Sequence, residues 1–406
     1  MAYPTITERY GSLSATGVAK ETTFGVPVAA TAWLPMTGNT METDPGWFSP
    51  EVMEATRDLH VYNLYGQAHY TGAIDGPFFP DNAAELLTAS VGMDAQPGYG
   101  VTGATGSGST TLASGSAANA TTLTLTANAS FVNNQVIQVD TNNPATPTTA
   151  ECVKIVSGGG TTSITVTPAL TYAHSTSAVV KGVVAPYTHT FIQTNGLASL
   201  TVEKNLGGFQ SLQFAGCKVG KLAIKAPATN EAVSVTYDVT GQSAAILTSP
   251  TAVSILADIP FVFAEATLTL LSNARNDVTS VQINIDNGLK ETYTYSGQHG
   301  PSFITPVTVT ASGTIAVVWS SLNNGTYGDY SSMVNGTLGS LAWTCTHPVN
   351  NESVTITLPQ VVLSKYGNDV KMTDVIMSNL TFEATKSLSA GYTIQATLVN
   401  NEYVAF

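Results

Sequence analysis

The chain has 406 residues, of which 43% are hydrophobic and only 10% charged, and it carries a formal net charge of −13. That length allows two or three domains, each with its own core, and the scarcity of charge suits large subunit contacts, because uncharged polar groups are cheaper to desolvate than ions. Fourteen scattered Lys and Arg with no basic cluster argue against nucleic-acid affinity through phosphate neutralisation.

In chain order, residues 1–50 read as an irregular arm punctuated by Gly25, Pro27, Pro35, Pro45 and Pro50, with short extended pieces such as Ala32-Trp33-Leu34. The opening lacks a basic start followed by an apolar core, so no secretory signal is expected. Residues 57–71 turn strand-like. The clearest helix follows in DNAAELLTASVG (81–92), where Asn82 and Glu85 have capping-box spacing and Gly92 stands at the stop. From Gly98 to about Gly115 nearly everything is Gly, Ser, Thr or Ala, a linker composition. ATTLTLTA, NQVIQVDT, ECVKIVSG, TSITVTPAL and AVVKGVV then succeed one another at strand length between turn residues. Residues 101–183 are therefore expected to be a small all-β domain inserted into a larger one formed by 1–100 and 184–406.

Beyond Tyr187 the strands lengthen, from THTFIQT and ASLTVEKN to ESVTITLPQVVLS, NLTFEATKS and GYTIQATLVNN. Helical period is rare here, so the main domain is expected to be all-β, an antiparallel sandwich or barrel with one short helix. The chain is organised around 278–321. Val281, Ile283 and Ile285 alternate on one run, and Val307, Val309, Ile315, Val317 and Trp319 on the next, the period-two pattern of half-buried strands. Between them, 286–306 carries Asn287-Gly288, Gly297, Gly300, Pro301 and Pro306 and is too long and polar for a tight turn. It reads as a loop that is mobile in a monomer and ordered by neighbours. The most apolar region, 244–271, is interrupted by Pro250, Asp258, Pro260 and Glu265, and no membrane span fits.

Motifs for chemistry are weak. Gly98-x-Gly100-x-x-Gly103 matches the dinucleotide fingerprint in letters but lacks the strand before and the helix after. The six histidines form no HExxH and no pair at i, i+4, and His174 reads as a turn residue. No GxSxG elbow occurs. The sequons at Asn128, Asn335 and Asn379 follow from a composition rich in Asn, Ser and Thr. Cys152, Cys217 and Cys345, odd in number and far apart, read as buried thiols. Catalytic, cofactor and metal sites are not expected.

Two stretches carry a resemblance. GVAKETTFGVPVAATAWLPMTG (17–38) and SVQINIDNGLKETYTYSGQHGPSFITP (280–306) are similar to the arm and to the central strands with their loop in the tail-tube (major tail) proteins of long-tailed bacteriophages. An all-β insertion after a small-residue linker and the final strand after NLTFEAT also fit that group. The resemblance implies a virion protein, made in the host cytoplasm, that forms hexameric rings around a channel. Rings would stack into a tube through the arm, the loop 286–306 and C-terminal segments. Phage DNA would pass through without specific binding, and the tape measure, tail terminator and baseplate or distal tail proteins would be partners. The insertion would lie on the outer surface. Thr22, Phe24 and Trp33 of the arm and Tyr293, Tyr295 and Phe303 of the loop are then the expected inter-ring contacts, since aromatics bring much area for little rotamer loss. Two readings from other classes stand beside this one. A decoration or receptor-adhesion protein that binds glycans would cluster exposed aromatics, and a glycan depolymerase would converge two carboxylates in a cleft. The four tryptophans, Trp33, Trp47, Trp319 and Trp343, are well separated and read as core residues.

Overall fold

The computed structural model describes residues 11–51, 62–93, 101–141 and 149–405. Every ladder among them is antiparallel, and the ladders build an open sandwich rather than a closed barrel. Two long strands belong to two neighbourhoods each. The first half of Gln210–Pro227 pairs with Leu200–Leu206 and Ser243–Leu247, and its second half pairs with Ser234–Gly241 and Val278–Asp286. The change of partners falls at Gly216, whose φ of +65° belongs to the left-handed region open to glycine and suits a bulge that bends a strand. Ser353–Asp369 is shared in the same way, by Gly339–Thr346 and Gln395–Asn400 and then by Met377–Ala384.

The central pair forms over a shorter span than the alternation predicts: the second strand is Thr310–Val318, and Val307, Val309 and Trp319 lie outside it, with Val307 and Trp319 exposed. Val278–Asp286 lies against Thr310–Val318 with Val281 opposite Ile315 and Ile283 opposite Gly313, and Val281, Ile283, Ile285, Ile315 and Val317 are buried. Gly313 is needed where it stands, because a Cβ there would lie 2.0 Å from the Gln282 carbonyl oxygen and 2.6 Å from the Phe382 ring. These side chains join Phe191, Phe214, Phe261, Trp343, Ile356 and Leu398 in one core. All three cysteines are free and buried. No helix of the described residues is long and apolar enough to cross a membrane.

Ala84–Ser90 is the expected short helix, with Leu86 and Leu87 in the core. Its start differs from the capping-box expectation. The preceding residue is Ala83 and no side chain caps the helix, because Asn82 is buried and faces the Asp258 carboxylate. Gly92, just past the end, has φ +151° and would place a Cβ 1.9 Å from the Ile192 carbonyl oxygen. Two further short helices, Ser321–Asn324 and Asp329–Val334, are too brief to leave a period in the sequence.

The arm is less irregular than its prolines suggest. Ala15–Lys20 pairs with Leu200–Leu206 and with Ala32–Leu34, while Gly38–Asn39 and Glu42–Asp44 pair with His69–Pro77. Of the strand-like run 57–71, residues 57–61 lie outside the described residues and the strand begins only at His69. The linker reading fails in a similar way. Thr102–Thr111, Gly103 included, is a ten-residue strand paired along Val179–Ile192; Gly98 and Gly100 lie outside the described residues. Small residues are used there because the Val183 and Tyr187 side chains crowd Gly103 and the Phe131 ring crowds Gly108.

The stretch 101–183 contains a core of its own, including Leu123, Phe131, Ile137, Val153, Ile164 and Val180. One strand, Val179–Ile192, runs from that region onto Gln395–Asn400 of the main sheet. His174 is no simple turn residue. It is buried, with Nε2 2.8 Å from Glu151 Oε1 and Nδ1 3.4 Å from Asp140 Oδ2.

Candidate assembly surface

The segment 286–306 is a hairpin, not an unpaired loop. Leu289–Thr292 pairs with Phe303–Pro306, a register that the polar composition hid because neither strand has a regular apolar face. Its base is fixed inside the subunit. The buried Asn287 side chain donates to the carbonyls of Ser90, at 2.8 Å, and Val219, at 3.0 Å. In the connection between the two strands, Gly300 is buried so close to Gln242 that a Cβ would lie 2.0 Å from its carbonyl oxygen.

Halfway along, Tyr293 Oη lies 2.8 Å from Glu291 Oε2, 3.0 Å from His69 Nδ1 and 3.1 Å from the Ala68 carbonyl oxygen. Burial, and then the hydrogen bond to the Glu291 carboxylate, hold the Tyr293 phenol above its ordinary pKa. It is thus a neutral donor within its own subunit and not a free contact. Tyr295 is fully exposed and Phe303 is 58% exposed. Of the arm residues, Thr22 is exposed and Phe24 half-buried, with Lys218 Nζ 5.4 Å from its ring centroid. Trp33 is only 2% exposed and covers Gly17, so it is a core residue. Pairing of Ala32–Leu34 with Ala15–Lys20 turns its ring inward.

The turn bearing Thr22 and Phe24 is held by Glu21, a buried carboxylate that accepts from Gly25 N at 2.9 Å, Thr201 Oγ1 at 2.9 Å and Gly216 N at 2.8 Å. Three donors are what a buried carboxylate without a cation requires.

Three side chains missed by the sequence reading complete the hairpin's outer end. Tyr65 stacks on His299, with centroids 3.9 Å apart, and Trp47 packs on Tyr65 at 5.2 Å. His299 also accepts the Ala68 N–H at its carbonyl, 2.8 Å away. Trp47 is 58% exposed, against the expectation that the tryptophans are core residues, and Trp319 is partly exposed as well. Next to these rings, Gly66, Gln67, Tyr293, Thr294, Tyr295, Gln298 and His299 line an open cavity of about 390 Å³. The only clue in the sequence was Pro45-Gly46-Trp47-Phe48, a turn that carries two large apolar side chains.

A second exposed apolar stretch runs through Val253, Ile255, Leu256 and Ile259. Its hydrophobicity was legible, but its exposure was not. Among the described residues, no group of three His, Cys, Asp or Glu side chains could hold a metal ion. The surface offers area and shape for contact.

No curated protein matches the chain. A sequence model of the family described as phage tail tube protein matches residues 11–384, nearly the whole chain. An all-β subunit with two exposed apolar surfaces agrees with that match, and the chain belongs to the phage tail tube protein family, a structural family of the virion tail.

Proposed function

We propose that the chain forms hexameric rings that stack into a hollow tube for delivery of phage DNA, with the hairpin 286–306 making the contact between rings. The observation that carries this reading is the hairpin's construction: a base anchored in its own subunit by Asn287, a tip held against that subunit at Tyr293, His299 and Gly300, and Tyr295 and Phe303 left exposed. Anchoring lowers the ordering cost of a contact made by the exposed side chains. A −13 subunit with few basic residues offers phosphates little counterion release, so DNA slides through the channel. The tape measure, tail terminator and baseplate or distal tail proteins are the proposed partners at the tube's ends, and synthesis takes place in the host cytoplasm.

Tyr295→Ser combined with Phe303→Ser is expected to leave the subunit's circular dichroism and melting temperature unchanged while reducing tubes seen by negative-stain microscopy at least about tenfold, since such aromatics are typical interface hot spots. Tubes as abundant as those of the parent protein would place the stacking contact elsewhere. The insertion, proposed as 101–183 on the outer surface, is expected to be dispensable because most of its core is its own, whereas Val101, Val136, Cys152 and Val183 pack with Tyr187 and Tyr403. Replacing 104–181 by a short Gly/Ser linker should still give tubes in the same assay, and insoluble protein would show that Val179–Ile192 needs its insertion partners.

The cluster of Trp47, Tyr65 and His299 favours one second reading, a glycan platform of a virion decoration or receptor-adhesion protein. Saturation-transfer NMR with host-surface oligosaccharides separates the two: signal that is lost in Trp47→Ala, from protein that forms no tubes, would favour the glycan.

A further inference from the structure

We propose that the exposed segment 248–262 is the seat that receives the outer end of the hairpin 286–306 from a second copy of this chain in the adjacent ring. This rests on the stacking reading above and adds to it the receiving surface.

The two surfaces lie at opposite ends of one strand. His69–Pro77 has Tyr293 and His299 at its first end, where they bond to Ala68 and His69. Beyond its last residue, the Phe78 carbonyl accepts the Phe261 N–H at 3.0 Å, and the Phe261 carbonyl accepts the Val233 N–H at 2.8 Å. The eight steps of about 3.3 Å along its nine residues put roughly 26 Å between the ends. A contact between two different patches on opposite ends is heterologous, and its repetition gives an open stack along the strand direction.

The segment is shaped in advance. Thr251 N donates to Glu203 Oε1 at 3.0 Å, Ile255 bridges to Trp33, and Asp258 accepts from Asp81 N and Ile259 N, each at 2.7 Å. Pro250 and Pro260 bracket it, and between them the backbone is irregular apart from the bridge at Ile255. While the backbone is tied at these points, the side chains stay out, with Ile255 48% and Ile259 54% exposed. Four such side chains within seven residues give apolar area available for a contact.

Charge selects the occupant. Within 248–262 the only ionisable side chain is Asp258, whose oxygens are engaged, and within 292–306 the ionisable side chains other than tyrosine reduce to His299. In a −13 subunit, two faces whose ionisable side chains reduce to Asp258 and His299 can approach with little mutual repulsion. Aliphatic side chains facing Tyr295 and the Trp47–Tyr65 pair also match in kind.

The test uses two single variants, Tyr295→Cys and Ile255→Cys, each in the full chain, with Val253→Cys, Leu256→Cys and Ile259→Cys as alternates for the second. The native thiols are all buried and contribute little background. Variants are mixed, assembled and oxidised, and a disulfide forms only if the Cα atoms come within about 7 Å. A cross-linked dimer from the mixture, absent from either variant alone, is the expected result. Normal tubes with no cross-link at any of the four positions, or a cross-link in Tyr295→Cys alone, would overturn the seat and leave stacking by the hairpin intact. Absence of tubes in the parent protein would overturn both. As a second arm, Leu256→Asp with Ile259→Asp should keep the melting temperature and lose tubes at least about tenfold; undiminished tubes would overturn the seat.

Discussion

Replacing Arg275 with alanine is expected to destabilise the subunit by about 3–5 kcal/mol, the range for breaking a buried ion pair by removing one partner. The Arg275 side chain is nearly inaccessible and meets two equally buried carboxylates. Its Nη1 lies 2.7 Å from Asp329 Oδ1, its Nη2 3.0 Å from Asp329 Oδ2 and 2.9 Å from Asp277 Oδ2, and its Nε 2.9 Å from Asp277 Oδ1. The Tyr327 ring covers the guanidinium at 3.9 Å, and Asn323 Nδ2 donates to both carboxylates at 3.1 Å. All five N–H groups of a guanidinium lie in a fixed fork, so two bidentate pairs use the group almost fully. Alanine would leave two carboxylates buried with Asn323 as their remaining side-chain partner among the described residues, and the segment with Ser321–Asn324 and Asp329–Val334 would lose its ion pair to Asn273–Arg275. Urea denaturation of the unassembled subunit measures the loss. A change below about 1 kcal/mol would mean that the carboxylates find water or take up protons at little cost. Arg275→Lys should recover only part of the stability, because one ammonium cannot span two carboxylates bidentately.

The second large effect is one of pH. Glu85, on the helix Ala84–Ser90, has its pKa raised to about 7 by burial and by the nearby Glu402 carboxylate. Burial likewise raises Glu402, Asp258 and Glu352, with Asp81 adding to each by charge repulsion. A carboxyl whose folded pKa exceeds its unfolded value binds more protons folded than unfolded. Stability is then greatest below the unfolded value near 4.5, falls as pH rises towards about 7, and stays reduced above it. A shift of this size corresponds to about 3 kcal/mol. Glu85→Gln, which mimics the protonated form, should therefore be more stable than the parent at pH 8 by roughly 2–3 kcal/mol and nearly equal to it at pH 4. Equal stability at both pH values would show that the carboxylate is solvated in the folded subunit.

What could be read without the fold was local in origin. Alternation over Val281, Ile283 and Ile285 marks a half-buried strand wherever it occurs, and the central pair, the short helix at 84–90 and the buried state of the cysteines followed from such signals. The scarcity of charge suited subunit contacts, while the resemblance of 17–38 and 280–306 to tail-tube proteins implied the family that the match over 11–384 shows. Exposure and pairing were decided elsewhere, because each depends on what a distant segment supplies. Trp33 and Trp47 are fourteen positions apart in similar Pro- and Gly-rich surroundings. One is covered because Ala15–Lys20 pairs beside it, and the other stays open because its neighbour, Tyr65, is itself at the surface. Thr102–Thr111 has a linker's composition and is a strand only because Val179–Ile192 offers it a ladder. Arg275 looks like any of the scattered basic residues until Asp277 and Asp329 close around it. The aliphatic run at 253–259 resembles core in sequence, yet anchors at Glu203, Trp33 and Asp81 hold its backbone on the outside. Periodicity is written residue by residue along the chain, whereas burial is a property of pairs of segments, and only the tertiary structure brings those pairs together.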